Sequence, residues 1–177
     1  MNPILDQLED ELARPLRGLT STQTLLRSQP DPSRWSIWQI AQHLLLTYSS
    51  TSASLEDRLK KGVPTRSRIT FQQTAAQLCV LRFGLLPGRR EAPPFVAPPE
   101  CPPDLLLTGD ELASAASTGL DRMDTLLNKA EARFGTSPCN SHYILGPLSV
   151  PQWRRFHLVH GRHHIRQIDA IRRAHRL

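Results

Sequence analysis

Four of the seven histidines lie in one run, FHLVHGRHHIRQI, from Phe156 to Ile168. In a helix each residue turns by about 100°, so with His157 at zero His160 falls near 300°, His163 near 240° and His164 near 340°. All four share one side. His160 and His164, at i and i+4, lie one turn apart and can aim ring nitrogens at a common point, the geometry behind H-x-x-x-H in helical metal sites. Two ligands on one helix leave a third to be found elsewhere. His43 is the only histidine on another predicted helix, between Ile40 and Leu44 at the margin of its apolar stripe, and it can complete a three-histidine set. H-x-x-x-H also occurs on solvent-facing basic helices, and a histidine beside an apolar face is often a hydrogen-bonded core residue. His163, beside the pair, and His142, in the loop before this helix, are candidates for proton transfer or substrate contact. Trp38, Trp153 and Tyr143 could line an apolar pocket, although aromatics near helix starts commonly serve packing.

The elements that must position these residues announce themselves through caps. Asn2-Pro3 opens a first helix, with Leu5, Leu8, Leu12, Leu16 and Leu19 along one face. Pro15 is expected to kink or split it, and Asp31-Pro32 to close the region. The capping box Ser36 to Gln39 starts a helix that Gly62 and Pro64 stop near Lys61. Thr70 to Gln73 opens a shorter, insertion-like helix ending at Gly84. From Leu85 to Leu107 seven prolines, from Pro87 to Pro103, oppose regular structure, so the segment reads as a lid or a crossover between distant helix ends. Thr108 to Glu111 caps the clearest helix, with Leu112, Ala116, Leu120, Met123, Leu127, Ala130 and Phe134 at spacings of 3 and 4. Gly135 to Leu148 reads as a loop. Ser149 to Gln152 opens a last helix, expected to run to about Arg173. No strand signal and no internal repeat appears.

At 177 residues with 39% apolar content, the chain suits one domain spanning residues 1–177. Cys79, Cys101 and Cys139 lie far apart without a C-x-x-C pair, which argues against a zinc ribbon or disulfide framework and fits a reducing cytoplasm. The first residues are too acidic for a signal peptide, and no apolar run approaches the ~20 residues of a membrane span. The formal charge of +6 is concentrated at the end, where residues 151–177 hold seven arginines (Arg154, Arg155, Arg162, Arg166, Arg172, Arg173, Arg176) against Asp169 alone. Such a helix can mean a nucleic-acid footprint, an anionic ligand, or cations placed where a helix C-terminus favours them. No aromatic or Gly-rich RNA motif accompanies the charge, which makes nucleic acid the weaker reading.

W-S-I-W-Q-I-A-Q-H-L from Trp35 to Leu44 and H-G-R-H-H-I-R-Q-I from His160 to Ile168, with G-P-L-S before the last helix, resemble the DinB/YfiT-like superfamily of metal-dependent enzymes. The resemblance implies an all-α, up-down-down-up four-helix bundle, here with an extra short helix and a long Pro-rich crossover. By motif it makes His43, His160 and His164 the metal ligands. Many members carry Arg-Gly-Gln after the last ligand, where this chain has Ile165-Arg166-Gln167; Gln167, near 280° on the same face, is then a candidate partner of a ligand ring. The expected function is a metal-dependent hydrolase or thiol-dependent transferase, with zinc or nickel activating water or a thiol. A small-molecule substrate, such as a low-molecular-weight thiol, and a homodimer are expected with it. The alternative is a non-catalytic interaction or nucleic-acid-binding protein using the basic last helix.

Overall fold

The leucine stripes become helices that face one another. The computed structural model describes residues 1–28, 34–86 and 92–177; Asp31-Pro32 and Pro87 lie outside the described residues. Among these residues four helices of 14, 25, 26 and 26 residues form a bundle: α1 (Pro3–Leu16), α3 (Ile37–Lys61), α5 (Gly109–Phe134) and α6 (Val150–His175). Each anticipated helix start is capped, Asn2 accepting from the Ile4 amide, full boxes forming at Ser36, Thr70 and Thr108, and Gln152 Oε1 accepting from the amide and hydroxyl of Ser149. Gly62, with φ of 69°, supplies the left-handed residue that ends α3. Pro15 does not split α1: it sits in the last turn, and the helix ends one residue later. A further capping box, Thr20 with Gln23, starts the single turn α2 (Ser21–Thr24), which sequence reasoning missed.

Contacts along the helices fix their directions. Leu8 meets Gly161, Glu11 pairs with Arg162 and the Pro15 carbonyl accepts from Arg172, so α1 and α6 run parallel. Gly119 approaches Leu45 and Tyr48, Arg122 pairs with Glu56 and Arg133 lies against Gly62, so α3 and α5 also run parallel. Asn2 bonds to Asp124 while Gly109 abuts Leu16, which sets α1 against α5 in opposite directions. The bundle is therefore up-down-down-up. Gly161 permits the α1–α6 approach, since a Cβ there would lie 2.3 Å from Leu8 Cδ1.

Because α3 and α5 are parallel, the chain must return the length of the bundle between them. This return carries α4 (Phe71–Gln77), which continues as one π-helical turn (Leu78–Arg82), and two 3-10 turns, Pro94–Val96 and Pro103–Leu105. The start of α3 holds its second half in place: Trp38 Nε1 donates to the Leu105 carbonyl and Gln39 Nε2 to the Pro99 carbonyl, and the Thr24 hydroxyl donates to Leu107. The expected loop before α6 instead contains a small antiparallel hairpin, β1 (Asn140–His142) with β2 (Gly146–Leu148). Three-residue strands are too short to show an alternating pattern, and the pairing is organised by its turn. Among the described residues no helix is long and apolar enough to cross a membrane.

The basic last helix spends much of its charge inside the fold. Arg154, 4% exposed, reaches Asp124 (3.4 Å), Glu131 (2.7 Å) and Asn128 (2.6 Å) on α5, while Asp124 also accepts from the Asn2 amide. Arg162 is bidentate to Glu11, and Arg155 and Arg172 donate to the Leu81 and Pro15 carbonyls. Truncating one partner of a buried pair strands the other charge. Arg154→Ala is thus expected to lower the unfolding free energy by about 3–5 kcal/mol in urea titrations. A loss below about 1 kcal/mol would contradict the buried network.

Candidate metal centre

α6 carries His160 and His164 one turn apart on the face turned toward α3, and α3 brings His43 against them. The three Nε2 atoms converge, at 3.2 Å from His43 to His160 and 3.1 Å from His164 to His160. Imidazole nitrogens about 2.0–2.1 Å from one tetrahedral ion would stand roughly 3.4 Å apart. Among the described residues this is the one group of three or more His, Cys, Asp or Glu whose ligand atoms lie close enough together, within 4.8 Å, to hold a metal ion.

The outer nitrogens explain why the inner ones are free to ligate. His43 Nδ1 lies 2.8 Å from the Val96 carbonyl, which only accepts, so Nδ1 carries the proton and Nε2 the lone pair. His164 Nδ1 likewise donates to Gln167 Oε1 at 2.8 Å. His160 Nε2 could donate to one of these neighbours but not to both, which leaves lone pairs facing one another. A cation at their centre resolves that conflict, so the donor set fits a metal. Burial keeps all three rings neutral at pH 7: it lowers His43 against the opposing pull of the Val96 carbonyl, takes His160 well below the usual range, and brings His164 to about 3. A neutral ring is the form that binds metal.

A DinB-superfamily model matches residues 4–168. The chain belongs to the DinB superfamily. No curated protein and no solved structure is a significant match. DinB membership and the histidine cluster are together compatible with a metal-binding enzyme.

Around this DinB centre the other candidates fall into distinct places. Gln167 Nε2 reaches His163 Nε2 at 3.2 Å, so one carboxamide links half-buried His163 to His164. His142 does not join the cluster. Its Nδ1 accepts the Ile144 and Leu145 amides, and its ring packs on Phe156, 4.4 Å between centroids. Burial lowers its pKa to about 4. Trp38 and Trp153 are buried packing residues, and Tyr143 is 74% exposed.

Three contributors were given no role at the site by the sequence. Trp35 lies 4.9 Å from the His43 ring and 6.2 Å from His164, Phe156 stacks on His160 at 5.3 Å and 13°, and the crossover supplies the Val96 carbonyl. Phe156 stands four residues before His160, a signal that helical geometry could have offered. Nothing local marks Val96. His157 is fully buried between Tyr48 and Trp153, and its ring nitrogens, the Tyr48 hydroxyl, Trp153 Nε1 and His160 Nδ1 have no partner among the described residues.

Proposed function

We propose that the chain is a metal-dependent enzyme, a hydrolase or thiol-dependent transferase, with His43, His160 and His164 holding one divalent transition metal, zinc or nickel. The observation that carries this reading is the convergence of three Nε2 atoms while Nδ1 of His43 and of His164 is committed to an oxygen acceptor. When bound, the metal supplies a Lewis acid that lowers the pKa of water or a thiol toward neutrality. The residues do the rest. The Val96 carbonyl and Gln167 fix the ring orientations of His43 and His164. His163, held by Gln167 beside the cluster, is the side chain placed to move a proton, and three protein ligands leave room for a small substrate such as a low-molecular-weight thiol. Internal use of Arg154, Arg155, Arg162 and Arg172 weakens the nucleic-acid alternative.

Elemental analysis and calorimetric titration with zinc and nickel test the reading. The expected result is close to one equivalent per chain; less than a small fraction after reconstitution would overturn it. The chain is further proposed to act as a single domain and a homodimer, the latter supported by Phe71, Leu78, Phe83 and Leu85, all more than half exposed around α4. Light scattering should give twice the chain mass, and a monomer at every concentration would remove the dimer.

A further inference from the structure

Phe156 has a second neighbour besides His160. It forms a wall of a cavity of about 330 Å³, open to solvent on one side and bordered by α4, the π turn and the hairpin, with Ala76, Val80, Leu86, Leu145 and His142 among the other walls. That volume is in the range of small-molecule sites. Of the lining side chains only His142 and Cys79 bear a heteroatom. The state of His142 follows from its bonds: Nδ1 accepts two backbone amides, at 3.0 and 3.1 Å, so the proton of the neutral ring resides on Nε2. Nε2 has no acceptor among the described residues. Apart from the weakly polar Cys79 thiol, a carbon-lined cavity therefore contains one committed N–H donor. A charged occupant would lose part of its hydration there with no counter-ion among the walls, whereas an uncharged molecule with one acceptor would satisfy the donor and bury its carbon.

We propose that this cavity binds an uncharged, mainly apolar small molecule through a single hydrogen-bond acceptor, most simply a ketone or ester carbonyl, placed on His142 Nε2. As the apolar subsite of the enzyme's substrate it rests on the metal-enzyme reading, since Phe156 joins the cavity to His160; as a binding site it stands on its own walls.

The test uses the full chain, as purified and again after chelation, with 6-propionyl-2-dimethylaminonaphthalene, an uncharged fluorescent ketone, and with 2-dimethylaminonaphthalene, which lacks the carbonyl. The ketone should bind saturably with blue-shifted emission. His142→Asn, whose carboxamide oxygen can still accept the turn amides, should weaken the ketone about three- to tenfold and leave the ketone-free probe unchanged. Ala76→Phe, or Ala75→Phe if the first variant does not fold, should reduce binding of both probes more than tenfold. No saturable binding, an equal effect of His142→Asn on both probes, or unaltered binding in a folded cavity-filled variant would overturn the proposal. Probe binding without metal uptake would instead sink the enzyme reading and leave the cavity standing.

Discussion

Replacing His160 or His164 with alanine is expected to weaken zinc or nickel binding by more than about a hundredfold, beyond the 10- to 100-fold loss that a partner of a ligand ring carries. Gln167→Ala, which frees the His164 ring without removing a ligand, should fall in that smaller range. The fold should survive, because the stripes of α1, α3, α5 and α6 bury a core of leucine, isoleucine and aromatic side chains around helices that carry their own caps. Helical circular dichroism should remain, with stability changed by a few kcal/mol. A zinc finger behaves otherwise, since its metal-binding energy is its folding energy. Global unfolding on chelation at neutral pH would therefore reassign the ion as a structural staple.

Acid should destabilise the metal-free protein steeply. Burial lowers His157 to about 3, with His142 nearby adding to the effect, and lowers His142 itself to about 4. The unfolded chain takes up these protons near 6.5. Between that pH and the folded values the unfolded state binds more protons, so this stability is fully present above about 6.5 and is lost as pH falls toward 4 and then 3. Each ring contributes a slope of about 1.4 kcal/mol per pH unit in that window. Against a typical total of about 5–15 kcal/mol, two such rings bring the protein close to unfolding near pH 4–5. His157→Phe, which removes two unpartnered nitrogens and keeps a planar ring, should roughly halve the slope contributed by this pair. Urea midpoints measured from pH 7.5 to 4.5 decide the matter, and a flat profile would show that these rings are not held neutral.

Much of this architecture can be read along the chain because it rests on local geometry. A Ser or Thr followed three residues later by Gln or Glu satisfies helix-end amides without help from elsewhere, which is why Ser36, Thr70, Thr108 and Ser149 each begin a helix where expected. The His160 and His164 pair is equally local, as one turn of helix is enough to bring them together. His43 lies more than a hundred residues from either; its place on another predicted helix and a motif resemblance selected it, and packing of α3 against α6 put its Nε2 at 3.2 Å from His160.

What could not be read depends on contacts between segments with no periodic relation. Val96 becomes the acceptor for His43 only because parallel α3 and α5 force a return across the bundle and Trp38 and Gln39 pin that return. The hairpin around His142 is held by side chain to backbone bonds in a turn, and the cavity behind it exists only where α4 and the π turn meet Phe156. The arginines of α6 make the same point, since composition counts charge but not partners. Arg154 is a buried strut because Asp124, Asn128 and Glu131 project from α5 at its level. Helix formation is settled within a few turns of chain, whereas which polar groups meet, and which stay without a partner, is settled by the packing of distant surfaces.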